Sequence, residues 1–386
     1  MLSQLNSTIN LASEAFKEYS QFSSKQKAVF LRAIATEIEA LGNELIQTTM
    51  AETNLPEARL LGERGRTCGQ LRMFADLVEE GSWVEARIDN AMPDRQPLPR
   101  VDIRKMLQPI GPVAVFAASN FPFAFSTAGG DTASALAAGC PVVMKGHSGH
   151  IKTSEMVTTA ILKAAESTGM PKGVFAMVLG PGAEVGKALV EHPVIKAVGF
   201  TGSFGGGMAL FHLANARKEP IPVFSEMGSI NPVVLMPEKL QNEAEAVAKL
   251  YASSITQGVG QFCTNPGLIL GVENSDLSNF IHILASEIEK IAPASMLNTG
   301  IYTNYVKMRD QAVAQQLVDT EAVSTLPLTG EIQGVPTVAS VSGDVFLENP
   351  TLHQEVFGPY SLVVKCKNIA QLEAIIAHLE GQLTAT

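Results

Sequence analysis

Apolar positions in the first eighty residues recur at helical spacing. Phe30, Ile34, Ile38, Leu41 and Leu45 predict one face of an amphipathic helix, and Ser23 with Gln26 forms a capping box at its start. A second helical stretch covers Glu57–Glu80. Prolines at 93, 97, 99 and 109 then interrupt alternating segments, which predicts a connecting arm or edge ribbon over about 81–110. From residue 111 the period changes. Short apolar runs at 112–117, 141–144, 174–179, 197–200 and 222–224 predict buried strands, with helices between them at 127–138, 153–168, 184–190 and 206–216. A second series follows, with strands at 232–236 and 267–272 and helices at 241–256 and 276–291. Strand–helix alternation implies parallel sheets covered on both faces. The predicted fold class is therefore α/β, with two doubly wound parallel-sheet domains over 1–230 and 231–386 and a small arm.

Composition narrows the function classes. The chain has 386 residues, 46% hydrophobic and 17% charged, which suits large cores and excludes disorder. Its formal net charge is -10 with Lys and Arg scattered, so no nucleic-acid partner is expected. Cys68, Cys140, Cys263 and Cys366 match neither a zinc pattern nor CxxC, which points to a reducing compartment. The seven histidines show no metal-ligand spacing, so no metal is expected. With no signal peptide and no bilayer-length apolar run, a cytoplasmic protein without membrane partners is expected.

Cys263 carries the sharpest chemical signal. It sits in Gln257-Gly258-Val259-Gly260-Gln261-Phe262-Cys263-Thr264-Asn265-Pro266-Gly267, a polar, glycine-rich loop between an apolar helix and an apolar strand. Packing cysteines favour apolar runs, whereas a loop thiol is open to a substrate, so nucleophile and incidental thiol stand side by side. Phe200-Thr201-Gly202-Ser203-Phe204-Gly205-Gly206-Gly207 follows a strand and opens a helix, as a phosphate cradle or a tight turn would. It matches neither GxGxxG nor GxxxxGK[ST]. Asn120, in Ser119-Asn120-Phe121-Pro122, follows a strand end and is either an oxyanion donor or a turn residue. Lys145 closes a strand and serves ribose hydroxyls or solvent. Glu226, between an apolar strand and Gly228, is a general base or a junction residue. Glu355 and Phe357 precede a Gly-Pro turn, as an acid for ribose hydroxyls and an aromatic for a flat ring, or as ordinary turn residues.

Taken in order, SNFPF, VVMK, FTGS, SEMGS, QFCTNPG and EVFGP resemble the aldehyde dehydrogenase superfamily over nearly the whole chain. The segments 52–63 and 125–141 look like its NADP-linked branch, which holds α-ketoglutaric semialdehyde and bacterial fatty aldehyde dehydrogenases. The resemblance implies Cys263 as nucleophile, Glu226 as general base and Asn120 as oxyanion donor. It also implies Lys145 on the adenosine ribose, Gly202, Ser203 and Gly207 at the pyrophosphate turn, and Glu355 with Phe357 beside the nicotinamide ribose and ring. Met227 and Ser229 depart from the more frequent Leu and Gly around the base. NADP is expected over NAD, which remains possible, because Ser148 stands where relatives often carry a glutamate that would repel a 2′-phosphate; His147 and His150 are expected to add positive charge when protonated. The implied activity is oxidation of a small aldehyde, 2,5-dioxopentanoate first and medium- or long-chain aliphatic aldehydes second. The implied assembly is a homodimer or homotetramer in full-length form. Relatives continue past Thr386, so the 231–386 domain is expected to be incomplete, with apolar surface and sheet edges uncovered, and a catalytically incomplete binding or assembly piece is the alternative.

Overall fold

The structure, a computed structural model, describes residues 2–386. It divides into two compact units, the first ending at Met227 and the second beginning at Gly228.

Four helices open the first unit: α1 (Leu2–Tyr19), α2 (Ser24–Ala40), α3 (Gly42–Thr53) and α4 (Glu57–Glu80). The capping box is formed, with Ser23 and Gln26 satisfying each other's backbone N–H groups at the start of α2. The arm follows as an antiparallel ribbon of β1 (Arg87–Asp89) and β2 (Ile103–Lys105), with Ile88 opposite Arg104. Its apolar side chains, among them Ile88, Leu98 and Val101, are exposed.

The sheet of this unit alternates with its helices: β3 (Val113–Phe116), α5 (Gly130–Ala138), β4 (Val142–Lys145), α6 (Ile151–Ser167), β5 (Phe175–Val178), α7 (Gly182–Glu191), β6 (Ala197–Thr201), α8 (Phe204–Asn215) and β7 (Val223–Glu226). All five strands are parallel, in the order β5-β4-β3-β6-β7. The winding reverses between β3 and β6, and ligands of open α/β sheets bind at the carboxyl ends beside such a reversal. Helix α1 contributes to the same core, where Leu5, Ile9 and Ala12 join Phe116, Val143, Leu189 and Val198. Helix α5 starts at Gly130, later than the predicted 127; its N-cap Gly129 has extended backbone and no room for a side chain against the Ala124 carbonyl.

The second unit runs β8 (Pro232–Leu235), α9 (Pro237–Thr256), β9 (Leu268–Val272), α10 (Ser275–Glu289), β10 (Ala294–Ser295), α11 (Thr299–Val313), β11 (Asp319–Val323), β12 (Gln333–Gly334), β13 (Thr337–Ser342), α12 (Gly343–Glu348), β14 (Tyr360–Cys366) and α13 (Ile369–His378). Its main sheet has the order β11-β13-β14-β9-β8. Successive residues of β9 and β14 serve opposite cores. Leu268, Leu270, Leu362 and Val364 pack with Tyr305, Phe346 and Ile375, while Ile269 and Val363 pack with Leu240, Phe280 and Leu284. One detail departs from the all-parallel expectation. Strand β11 runs antiparallel to β13, with an irregularity between Thr320 and Ala322. It buries only Ala322 and carries Asp319 and Glu321, the composition of an edge strand rather than a strand covered on both faces. At the opposite edge, Val234 N donates to Thr386 O (2.8 Å) and Thr386 N to Pro232 O (3.1 Å). Thr386 therefore pairs with part of the β8 edge.

Candidate functional site

In the first unit, sheet register aligns one row at the carboxyl edge. Val178, Lys145, Phe116, Phe200 and Ser225 stand opposite one another across β5, β4, β3, β6 and β7. Immediately beyond this row lie Asn120, Ser148, Ser203 and Glu226. The register thus brings the candidate residues of this unit to one edge.

The segment after β3 is held from outside the sheet, by α4. Glu63 is buried, and its Oε1 accepts the N–H groups of Phe123 (2.8 Å) and Ala124 (3.0 Å). Burial pushes the Glu63 carboxyl up, and the two N–H donors oppose that shift. Arg59 donates from Nη2 to the Asn120 carbonyl (2.5 Å), with its guanidinium 4.8 Å from the Phe121 ring centroid. Phe121 meets Phe125 edge to face at 5.1 Å. On the far side, His150 donates from Nε2 to the Ala118 carbonyl (2.9 Å), while its Nδ1 lies 3.1 Å from the Ser154 hydroxyl. The Asn120 backbone is therefore braced on both flanks.

Lys145 is half-buried, and burial lowers its pKa. Ser148 is exposed. The expected positive charge of His147 and His150 does not hold. Burial, with His150 and Lys145 close by, lowers His147 to about 4. Burial also lowers His150, so both rings are neutral at neutral pH and add no charge for a phosphate. They stack with centroids 5.4 Å apart.

Ser203 caps α8, accepting the Gly206 N–H (3.3 Å). No acidic residue occupies the first turn of α8, so its N-terminus presents an uncompensated positive end. Gly202 is required by Phe200, whose ring lies 2.7 Å from where a Cβ would stand. Gly207 is required by Met227, 2.5 Å from the equivalent point, whereas Gly205 faces open space. The turn is thus shaped by packing as well as by its exposed N–H groups. Its donors, with Lys145 in the same row of strand ends, fit the diphosphate and ribose of a dinucleotide.

Glu226 ends β7, opposite Thr201 on β6. Its carbonyl accepts Gly202 N–H (3.0 Å). Parallel partners share a face, so Glu226, Thr201 and, two residues earlier, Gly199 point to the same side of the sheet. Asp131 of α5 fills the space over Gly199, with Oδ2 3.0 Å from the point a Cβ would occupy. Burial and then the charge of Glu226 raise the Asp131 carboxyl. An acid on this face was not anticipated from the sequence.

In the second unit, Cys263 is held by backbone strain and by Asn231. Gly258, Val259 and Gly260 take φ of +55°, +59° and +64° in succession. Left-handed geometry at a β-branched valine is costly and persists only where the surroundings enforce it. Gly260 passes so close to the Gly358 carbonyl that a side chain would overlap it, and Gly358 lies equally close to the Tyr305 ring. Asn231 donates from Nδ2 to the carbonyls of Cys263 (2.8 Å) and Asn265 (2.9 Å), and Ser229 Oγ donates to its Oδ1 (2.9 Å). Buried Gln261 accepts Leu297 N–H (2.9 Å) and donates to Gly258 O (3.1 Å). Of the four cysteines, Cys263 alone is partly accessible; Cys68, Cys140 and Cys366 are buried.

Glu355 and Phe357 line one depression together with Phe262, Asn265 and Ser229. Glu355 Oε1 accepts Ser229 N–H (3.4 Å), and Gly228 leaves only 2.5 Å between a notional Cβ and Oε2. Burial pushes the Glu355 carboxyl up to about 7. Sequence reasoning missed Arg59, Glu63, Asp131, Asn231 and Gln261. Arg59 and Glu63 left a signal, four residues apart on one helix face.

Among the described residues no three His, Cys, Asp or Glu side chains group as a metal site requires, and no helix is long and apolar enough to cross a membrane.

A doubly wound sheet with a dinucleotide-compatible edge, and a partly accessible thiol in a second α/β unit, are features of a nicotinamide-dependent oxidoreductase. The chain belongs to the aldehyde dehydrogenase family, whose model matches residues 2–385. It is 50% identical over 380 residues to alpha-ketoglutaric semialdehyde dehydrogenase 2 of Azospirillum brasilense, covering 97% of this chain and 71% of that protein. It is 47% identical over 387 residues to alpha-ketoglutaric semialdehyde dehydrogenase of Acinetobacter baylyi, covering 100% and 73%. Among solved structures, an NAD-dependent benzaldehyde dehydrogenase from Corynebacterium glutamicum superposes with TM-score 0.79 at 20% identity, covering 100% of this chain and 80% of that one. Proline utilization A from Bdellovibrio bacteriovorus superposes with TM-score 0.81 at 23% identity, and this chain spans 39% of its length. These two share the fold.

Proposed function

We propose that this protein oxidises 2,5-dioxopentanoate to 2-oxoglutarate, with NADP preferred over NAD, using Cys263, Asn120 and Glu226. The Cys263 thiolate attacks the aldehyde carbon; a C–S bond forms and the carbonyl electron pair moves to oxygen. The Asn120 amide and the Cys263 backbone N–H donate to that oxyanion. When bound, the nicotinamide cofactor supplies the hydride acceptor. The C–H bond of the former aldehyde carbon breaks with its electron pair leaving as hydride, the oxyanion re-forms the C=O bond, and Cys263 is left carrying a thioester. Glu226 takes a proton from water, whose oxygen attacks the acyl carbon; the C–S bond breaks and the thiolate returns. Lys145, Ser203 and the Gly202–Gly207 turn hold the adenosine half of the cofactor, and Glu355 with Phe357 holds the nicotinamide half.

The observation that carries this proposal is the strained loop around Cys263. Three successive left-handed residues and the Asn231 clamp fix the backbone of the one partly accessible thiol. Such strain is characteristic of functional sites. The substrate comes from the names of the two relatives at 50% and 47% identity. The NADP preference rests on Ser148, an exposed hydroxyl that can donate to a 2′-phosphate, and no longer on the neutral histidines. The decisive experiment is Cys263→Ala. Turnover of 2,5-dioxopentanoate should vanish while NADP affinity stays within about 3-fold, a spread under 1 kcal/mol. Retained turnover would remove Cys263 as the nucleophile.

A further inference from the structure

Helix α4 carries four arginines, Arg59, Arg64, Arg66 and Arg72. Three are committed to the protein. Arg59 bonds the Asn120 carbonyl, Arg64 donates to Gly42 O (2.7 Å), and Arg72 forms a fork with Glu39 at 2.7 and 2.6 Å. Among the described residues, Arg66 has no hydrogen bond or ion pair. Its guanidinium instead lies 5.0 Å from the Phe125 ring centroid and 5.9 Å from that of Phe121. Arg66 is exposed. It shares a helix face with Arg59 and Glu63, at positions i, i+4 and i+7, and that face packs on the segment bearing Asn120. Arg59 and Arg66 together outweigh the single carboxylate of Glu63. The patch is positive in a chain of formal net charge -10. A guanidinium held over an aromatic face keeps its N–H donors available, and a guanidinium can bind a carboxylate bidentately.

We propose that Arg66 receives the remote carboxylate of the aldehyde substrate and so selects short aldehydes that carry an acid at the far end over neutral ones. This rests on the aldehyde-oxidising function proposed above and adds the residue that sets its substrate class. Arg59 acts through the loop, holding the Asn120 carbonyl and the Phe121 ring, and is a positioning residue. Arg66 makes the direct contact. A long apolar chain has no counterpart for a fixed cation beside the oxyanion donor, so fatty aldehydes are disfavoured.

The experiment compares kcat/KM for 2,5-dioxopentanoate and for pentanal, a neutral aldehyde of equal chain length, in wild type, Arg66→Met, Arg66→Lys and Arg64→Met. Wild type should favour the acid. In Arg66→Met the acid-to-pentanal ratio should fall about 10- to 100-fold, the worth of a hydrogen bond to a charged group. Arg66→Lys should fall between, keeping the charge but losing the planar fork. Arg64→Met, whose cation faces Gly42, should keep the wild-type ratio. In parallel, equilibrium binding of 2-oxoglutarate should weaken in Arg66→Met by a similar factor. An unchanged ratio with unchanged 2-oxoglutarate binding, or an equal fall in Arg64→Met, overturns the carboxylate site while aldehyde oxidation stands. A wild type that oxidises neither aldehyde overturns the function and the site together.

Discussion

Replacing Gly260 by alanine tests whether the cysteine loop is held by its glycines. The φ of Gly260 is +64°, and placing an L-residue there costs about 1–2 kcal/mol. The added methyl overlaps the carbonyl of Gly358, a backbone group that no rotamer change can move. Gly358 cannot retreat, because it lies against the buried Tyr305 ring. Overpacking of this kind typically costs about 1–3 kcal/mol, so the expected total is about 2–5 kcal/mol. That is a large part of ordinary domain stability. Trp83, the only tryptophan, lies in the first unit, so its fluorescence is a poor reporter of damage to the second. The better assays are thermal unfolding followed by circular dichroism and the alkylation rate of Cys263 under native conditions. Both should change together, with a lower midpoint and a thiol no longer fixed by the loop. Gly65→Ala in α4 is the control. Nothing lies within 4 Å of its notional Cβ, and the exchange should stabilise by up to about 1 kcal/mol. A Gly260→Ala protein within about 0.5 kcal/mol of wild type, alkylated at the wild-type rate, would refute the steric account, since surface exchanges alone fall in that range.

Two further outcomes follow from the electrostatics and the adenosine end of the site. The Glu355 carboxyl is pushed up to about 7 in the fold, from an ordinary 4.5, so between those values the folded chain holds a proton that the unfolded chain has released. Stability from this group is therefore neutral below about pH 4.5, declines as pH rises toward 7 and is fully lost above it; Glu355→Gln should gain on wild type by at most about 3 kcal/mol at pH 8 and nothing near pH 4, as read by denaturant midpoints. Equal gains at both pH values would mean the carboxylate is not penalised. Ser148→Glu should lower the NADP-to-NAD affinity ratio by about 10-fold or more, because a carboxylate then faces the 2′-phosphate. Titrating both cofactors checks this, and an unchanged ratio removes Ser148 as the discriminator.

Much of this organisation was legible in the sequence because it rests on local pattern. The strands of the first sheet are short apolar runs bounded by glycine and proline, and they appear within a residue or two of where periodicity puts them. The capping box at Ser23 and Gln26 is a local signature and is formed. The last third was less legible. Strands β13 and β14 and helices α11, α12 and α13 went unassigned, and the antiparallel edge of β11 depends on pairing with β13 across the intervening β12. The charge expected of His147 and His150 failed for a related reason. Ionisation is set by burial, and burial there comes from the fold around α6 rather than from neighbouring letters.

The residues that sequence reasoning missed act mostly at long range. Asn231 reaches the Cys263 carbonyl across 32 positions, and Glu63 reaches Phe123 N–H across 60. Both satisfy backbone groups in a loop that has no ladder of its own. A catalytic loop must leave the regular hydrogen-bonding of the sheet to present its side chain, and the freed N–H and C=O groups still require partners. In this chain those partners come from one buried carboxylate on a helix and one left-handed asparagine before a strand. The candidate side chains could be picked out from their motifs, but the groups that hold their backbone could be found only where the hydrogen bonds close.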